Sequence, residues 1–188
     1  MEITFVTGNK NKLNEVNQML KMKSSKLLLR ALSLDLPEYQ GTSDYITEQK
    51  TLMAESIVNG PVIVEDTSLH FNALNGLPGS YIKWFYEKLN NDGLIKMLSG
   101  FDDKSAYAVC TLGLCIGPDK KVLLFQGKID GEIVLPRKSS EKSFGWDPIF
   151  EPNGFNQTFS EMSNELKNSI SHRKLALDKL IEYLVVLE

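Results

Sequence analysis

Residues 3–20, ITFVTGNKNKLNEVNQML, decide the fold class. Residues 3–6 are a short apolar run suited to a strand, Thr7, Gly8 and Asn9 punctuate it, and Leu13, Val16 and Leu20 then recur at helical spacing. A strand, a tight loop and a helix in that order open an α/β protein. Asn9 is a good N-cap. Lys10 and Lys12 fall in the first helical turn, with Asn11 between them and no acid nearer than Glu15. Positive charge there opposes the helix dipole by roughly 0.3–1 kcal/mol per residue. A phosphate chain offsets that cost, because free first-turn amides, the dipole and the lysines would all point at it. The loop lacks the Walker A spacing. An ordinary strand-to-helix turn with solvated lysines accounts for the same residues.

Further along, residues 26–32 read as a second strand. Residues 48–58 read as a helix ended by Asn59, Gly60 and Pro61, the expected C-terminal punctuation. Residues 62–64 form a buried strand. Residues 81–89 and 93–98 look helical, and residues 105–116 and 121–134 make long strands joined at Gly117, Pro118 and Asp119. A final helix over residues 164–187 carries Leu166, Ile170, Leu177, Leu180, Ile181 and Leu184 along one stripe. No repeat, low-complexity tract or linker interrupts this mixed α/β order, so residues 1–188 are expected to form a single domain.

With 42% apolar and 24% charged residues in 188, the chain has the composition of a soluble globular domain. Its longest unbroken apolar runs, residues 106–110 and 183–187, are far short of the ~18 residues that a membrane span needs. The first ten residues, MEITFVTGNK, lack a basic start and a long apolar stretch, so they read as an opening strand and not as a signal peptide. A cytoplasmic location without membrane attachment is the expectation. Cys110 and Cys115 sit at an odd separation on one strand, which sends them to opposite faces as free thiols. The net charge of −3 disfavours stable attachment to nucleic acid. The charges are segregated: six basic and two acidic side chains in residues 1–30, then seven acidic and one basic in residues 31–66. Brought together, such stretches would supply cations for a polyphosphate and carboxylates for its metal. Two solvated surface faces explain the same segregation.

In PVIVEDTSL, residues 61–69, Glu65 and Asp66 follow directly on the buried strand. Ligands in open α/β sheets gather outside the carboxyl ends of strands. Of two adjacent carboxylates there, one must face the interior side unless it meets a cation. Asp66, with Glu38 from LPEYQG, could hold Mg²⁺ through oxygen ligands. Alternatively, Asp66 caps the next segment and Glu65 is exposed. In FGWDP, Phe144 and Trp146 flank Gly145 before the turn-forming step from Asp147 to Pro148. The aromatics could stack on a base or anchor the core. Lys167 and Ser171 lie one helical turn apart, and Arg173, beside His172, offers a donor fork suited to a carbonyl or phosphate. No His pairs with Ser or Cys as a nucleophile, and no His or Cys metal spacing is present.

TGNKNKLNEV, LPEYQG, VEDTSLHFNALNGLPGSYIKWF, GFDDKSAYAVCTL, FGWDPIFEP and SHRKLAL, in this order, resemble the inosine triphosphate pyrophosphatase family, especially its eukaryotic branch. The resemblance covers nearly the whole chain. It implies hydrolysis of ITP, dITP and XTP to the monophosphate and pyrophosphate, with Mg²⁺, or Mn²⁺ in its place. It also implies a cytoplasmic homodimer with an elongated mixed sheet flanked by helices, and two lobes with a cleft between them. On this resemblance, Thr7, Gly8, Asn9, Lys10, Asn11 and Lys12 hold the triphosphate, supported by Lys50 and Lys83. Glu38 and Asp66 bind metal. Asp66, with Glu65 and Lys12, carries the chemistry, and Thr67 adjoins. Phe144, Gly145, Trp146 and Asp147 line the base pocket, and Lys167, Ser171, His172 and Arg173 read the 6-oxo purine. The sequence departs from the family pattern at Asn11, where glycine or lysine is usual. A pyrophosphatase for modified pyrimidine triphosphates and a non-cleaving nucleotide sensor are the competing readings.

Overall fold

The computed structural model describes residues 2–22, 27–118, 121–137 and 144–187. Its elements run β1 (Glu2–Val6), α1 (Lys10–Met22), β2 (Leu28–Leu32), α2 (Ser43–Val58), β3 (Val62–Phe71), β4 (Pro78–Gly79) and α3 (Ile82–Lys96). They continue with β5 (Ser105–Cys115), β6 (Leu123–Ile133), β7 (Phe150–Pro152), α4 (Asn164–Ile170) and α5 (His172–Leu187). Among the described residues seven strands form one mixed sheet in the order β2-β1-β3-β5-β6-β7, with β4 beside β3. β1 pairs in parallel with both β2 and β3, whereas β4 on β3 and β7 on β6 are antiparallel. The expected mixed α/β class is therefore the observed one.

The chain divides into two compact units. The first holds Met1–Thr67, Cys110–Gly127 and His172–Glu188, and the second holds Ser68–Val109 and Lys128–Ser171. In the first, Ile3, Phe5, Val16, Leu20, Ile63, Leu112, Leu177 and Leu180 share one apolar core, and Val6, Ala54, Val62 and Val64 a smaller one. In the second, Leu69, Phe71, Leu94, Ala108, Ile149, Phe150 and Phe159 pack together. Cys110 and Cys115 form no disulfide and are buried, and they belong to different clusters of the first unit, as their odd spacing requires.

Four differences from the sequence reading matter. β3 does not stop at Val64 but runs on to Phe71, so Glu65 and Asp66 lie mid-strand. α2 begins at Ser43, five residues earlier than periodicity suggested, because Thr42 caps it by accepting a hydrogen bond from the Tyr45 amide. The two helices expected over residues 81–98 are α3, with a kink where Asn90 adopts φ 53°. The final helix is two: Ser171, with extended backbone at ψ 159°, separates α4 from α5. Leu166 and Ile170 consequently pack on the second unit's core, and Leu177, Leu180 and Leu184 belong to the first's. Lys26 and Asp119, expected in a strand and a turn, lie outside the described residues.

Two close approaches seat helices on the sheet of the first unit. A Cβ on Gly113 of β5 would lie 2.2 Å from Thr51 Oγ1 of α2. Thr47 and Thr51 are fully buried, and each hydroxyl donates back to the carbonyl four residues earlier, at 2.7 and 2.6 Å. At Gly127, a Cβ would meet the His172 carbonyl at 2.1 Å and the Ala176 amide at 2.4 Å. The first contact fixes the helix that carries Lys50, and the second fixes the first turn of α5, which carries Arg173.

Candidate active site

The TGN loop folds as its sequence suggests but spends its amides on itself. Asn9 Oδ1 accepts from the amides of Asn11 and Lys12 at 3.0 and 3.3 Å, and the Asn9 amide donates to Thr7 Oγ1 at 3.1 Å. The Leu13 amide donates to the Asn9 carbonyl. The expectation of free first-turn amides aimed at an anion does not hold for Asn11 and Lys12, whose amides the N-cap already takes. Gly8, Lys10 and Asn11 are exposed. Lys12 instead reaches inward, its Nζ 3.2 Å from Glu65 Oε1 and donating to the Glu65 carbonyl at 3.4 Å.

Glu65 is the centre of a buried charge cluster and is not exposed. Arg173 donates to it twice, from Nε at 2.9 Å and Nη2 at 2.8 Å, and Thr67 Oγ1 donates at 2.8 Å. Arg173 Nη1 also donates to Glu15 of α1. Side-chain exposure is 1% for Arg173 and 0% for Glu65. Burial works to raise the Glu65 carboxyl, yet Arg173 and Lys12 beside it and the donors from Arg173 and Thr67 outweigh burial and hold it below the usual carboxylate range. Arg173, expected to read a purine, turns its fork to two carboxylates.

Asp66, the next residue, has the opposite environment. Its Oδ1 is 4.0 Å from Lys50 Nζ, which donates to Glu38 Oε2 at 2.6 Å, so one ammonium serves both expected metal ligands. No described group hydrogen-bonds the buried Oδ2. Burial pushes this carboxyl up to about 6; Lys12 and Lys50 act to lower it, and Glu65 and Glu38 to raise it. No three His, Cys, Asp or Glu side chains among the described residues gather as a protein cage for a metal. Two carboxylates, one with an unpaired buried oxygen, nevertheless suit a hard cation that takes its remaining oxygens from water and phosphate. Cys110 is fully buried, and burial pushes its thiol well above the ordinary value, against any role as a nucleophile.

The expected base-reading residues fall mostly in the second unit. Lys167 Nζ donates to Asp147 Oδ2 at 2.6 Å, with side-chain exposures of 7% and 9%, and stands 5.5 Å from the Phe144 ring centre and 5.4 Å from that of Phe159. Trp146 packs edge-on against Phe150, with ring centres 5.6 Å apart, so it is partly a core anchor. Lys83 is exposed and lies over the Trp84 ring at 4.9 Å. Ser171 and His172 are buried, the latter on the first unit. Sequence reasoning missed Glu15 and Asn91. Asn91, which follows the α3 kink, donates from Nδ2 to the Gly145 carbonyl at 3.2 Å. Glu15 stands one helical turn after Lys12, a signal that marks a shared face but not its distant partner.

Residues 3–183 match the Ham1 family. Proteins named inosine triphosphate pyrophosphatase are 53% identical in Yarrowia lipolytica, covering 98% of this chain and 96% of that one, and 50% identical in Candida albicans, covering 97% and 98%. The Ham1 protein of Staphylococcus aureus superposes with a TM-score of 0.82 at 28% identity over the whole of both chains.

Proposed function

The chain belongs to the Ham1 family, and on that premise we propose that it is a nucleoside triphosphate pyrophosphatase. Its substrates on this reading are ITP, dITP and XTP, cleaved to the nucleoside monophosphate and pyrophosphate. One observation carries the reading: a buried carboxylate oxygen of Asp66 with no hydrogen-bond donor, beside two lysines and a second carboxylate.

Glu38 and Asp66 would hold Mg²⁺ or Mn²⁺, which when bound neutralises triphosphate oxygens and the charge that grows on the leaving group. Lys12 and Lys50 hold the phosphates, with Thr7 and Asn9 as further contacts. Water attacks and the bond between the α and β phosphates breaks. Asp66 takes the water's proton, since its buried second oxygen has no hydrogen-bond donor among the described residues. Glu65, kept ionised by Arg173, does not take the proton and holds Lys12. Removing deaminated purines from nucleotide pools is the role this activity would serve.

Recognition of the base falls to Phe144, Gly145, Trp146, Asp147, Lys167 and Ser171 of the second unit. A lysine ammonium has three donors, and a site presenting donors to a 6-oxo group leaves them unpaired opposite a 6-amino group. No described helix is long and apolar enough to cross a membrane. The family premise makes a cytoplasmic homodimer the expected state, which light scattering on the purified chain checks.

Pyrophosphate release from ITP, dITP, XTP, ATP, GTP and modified pyrimidine triphosphates, with and without Mg²⁺, tests the proposal. Metal-dependent release from the first three, about tenfold or more above ATP, is expected. Equal turnover of ATP and ITP would refute the purine assignment, and binding without cleavage would favour the sensor.

A further inference from the structure

The aromatic loop of the second unit is a tight turn with a loose centre. The Asp147 amide donates to the Phe144 carbonyl at 3.0 Å, Gly145 has φ 55°, and Trp146 follows at φ −89° and ψ 5°, the pattern of a type II′ turn. That closing bond does not engage the Gly145 carbonyl. A Cβ on Gly145 would meet nothing within 4 Å, and glycine takes either sign of φ about equally, so nothing at Gly145 itself holds the peptide that joins it to Trp146. The hold comes from α3, where Asn91 Nδ2 donates to the Gly145 carbonyl at 3.2 Å. Asn91 stands just past the kink at Asn90, whose φ of 53° is a conformation that a residue other than glycine keeps only where its surroundings impose it. Asn91 Oδ1 is buried with no hydrogen-bond partner among the described residues. A buried acceptor without a donor carries an uncompensated desolvation penalty. Stability alone would favour an apolar side chain here.

We propose that Asn91 is a positioning residue that latches this turn, so that Phe144 and Trp146 are presented as a stacking surface for the purine ring. The two rings leave the turn on either side of Gly145, and rotating the peptide at its centre would change the angle between them. The far end of the turn is already anchored: Lys167 Nζ donates to Asp147 Oδ2 at 2.6 Å, and the Trp146 ring packs on Phe150 and Phe159, with centres 5.6 and 6.3 Å away. Asn91 anchors the centre. It donates to backbone, so it acts on the base through the rings, and stacking tolerates any base because each has a π-face. The latch therefore governs how tightly a purine is held and not which purine is chosen. The inference rests on the base-binding role proposed above for Phe144 and Trp146.

Three variants test it. Asn91→Leu removes the donor and the orphaned acceptor together, Asn91→Asp keeps the shape without the donor, and Asn90→Gly suits the positive φ of the kink and leaves Asn91 in place. The measurements are calorimetric binding of IMP and of tripolyphosphate with Mg²⁺, kcat and KM for ITP and ATP, Tm, and Trp146 emission in a Trp84→Phe background, which leaves it the one tryptophan of the chain. Loss of one hydrogen bond predicts IMP binding weaker, and KM for both ITP and ATP higher, by about twofold to tenfold in the two Asn91 variants. Tripolyphosphate binding, kcat and the ratio of ITP to ATP kcat/KM stay within about twofold. The Tm of Asn91→Leu is no lower than that of the wild type, Trp146 emission shifts, and Asn90→Gly binds IMP as the wild type does. Unchanged IMP binding in both Asn91 variants overturns the proposal. So does a parallel loss of IMP and tripolyphosphate binding with a lowered Tm, which a merely structural residue would give, and so does a collapsed ITP preference, which would make Asn91 a reader of the base edge. If Asn91→Leu does not fold, Asn91→Asp decides. Trp146 emission needs no ligand: a wild type that neither binds IMP nor cleaves ITP sinks the purine assignment, whereas an unshifted emission sinks the latch whatever the substrate.

Discussion

Replacing Asp66 by Asn should stabilise the protein at neutral pH while abolishing pyrophosphate release. Burial raises the Asp66 carboxyl from its ordinary 3.8 to about 6, and at about 1.4 kcal/mol per pKa unit that rise corresponds to roughly 3 kcal/mol. The direction follows from proton binding. Between the two values the native state holds more protons than the unfolded chain, so stability falls as pH rises through this window, and the whole penalty is in force above it. Asparagine is never charged and avoids the penalty. Burying an amide that lacks partners returns roughly 1 kcal/mol of it, leaving about 2 kcal/mol, or roughly 4–8 °C in Tm for a chain of this size. Lys50 keeps Glu38 at 2.6 Å in the variant, so no new unpaired cation offsets the gain. The assay is thermal unfolding of both proteins in EDTA at pH 7.5 and at pH 4.5. The variant's advantage should be present at the higher pH and largely gone at the lower, where the native aspartate is protonated. Glu65, whose depressed value removes stability on acidification, does so in both proteins and cancels in the difference. An Asp66→Asn variant no more stable than wild type at pH 7.5, or an advantage equal at both pH values, would refute the reasoning.

The metal should act through the same carboxylate: at 100 times its Kd, Mg²⁺ raises stability by about 2.7 kcal/mol, and Asp66→Asn should remove most of that gain in a thermal shift titration. Lys12→Ala should weaken tripolyphosphate binding much more than IMP binding, whereas equal weakening would take Lys12 off the phosphates. Gly113→Ala, whose Cβ would sit 2.2 Å from Thr51 Oγ1, should cost about 1–3 kcal/mol in urea unfolding. Adding Thr51→Ala should recover part of that cost, and strict additivity would contradict the close packing. Asn91→Ala removes the donor to the Gly145 carbonyl; a hydrogen bond of about 0.5–1.5 kcal/mol predicts KM for ITP higher by roughly twofold to tenfold with tripolyphosphate binding unchanged.

What could be read from the sequence was what is local. The strand, loop and helix of residues 3–20 are written in apolar spacing and an N-cap, and the structure repeats them. The start of α2 was missed, because apolar periodicity begins only at residue 48, although Thr42 just before the helix and Asp44 in its first turn are the signals that mark it. The length of β3 was not legible. Two charged residues after Val64 look like a strand ending in solvent, and they continue as strand because Arg173, 108 residues away, meets Glu65 inside. The break at Ser171 is hidden for a similar reason. No proline or glycine marks it, and the stripe of leucines runs through it at helical spacing, though the two halves serve different cores.

The same nonlocality explains why two adjacent carboxylates part company. Glu65 and Asp66 share a strand and deep burial, and burial alone would raise both. Glu65 faces Arg173 and Lys12 at hydrogen-bonding range, so two cations outweigh desolvation. Asp66 has Lys50 at 4.0 Å, a cation already shared with Glu38, and no described group bonds its second oxygen, so Lys12 and Lys50 do not outweigh its burial. One residue is therefore held ionised whatever the pH of a cell, and the other is poised where a proton can be gained or lost. The four-charge group around Glu65 sums to zero, whereas Asp66, Glu38 and Lys50 sum to −1, so the second group is the one with an electrostatic reason to take up a divalent cation. Adding a cation there should lower the Asp66 carboxyl toward its ordinary value. The stability penalty of the metal-free protein would then shrink, and the pH 7.5 advantage of Asp66→Asn should reverse once Mg²⁺ saturates the wild type. An advantage that survived saturating Mg²⁺ would mean that the cation does not bind at this carboxylate.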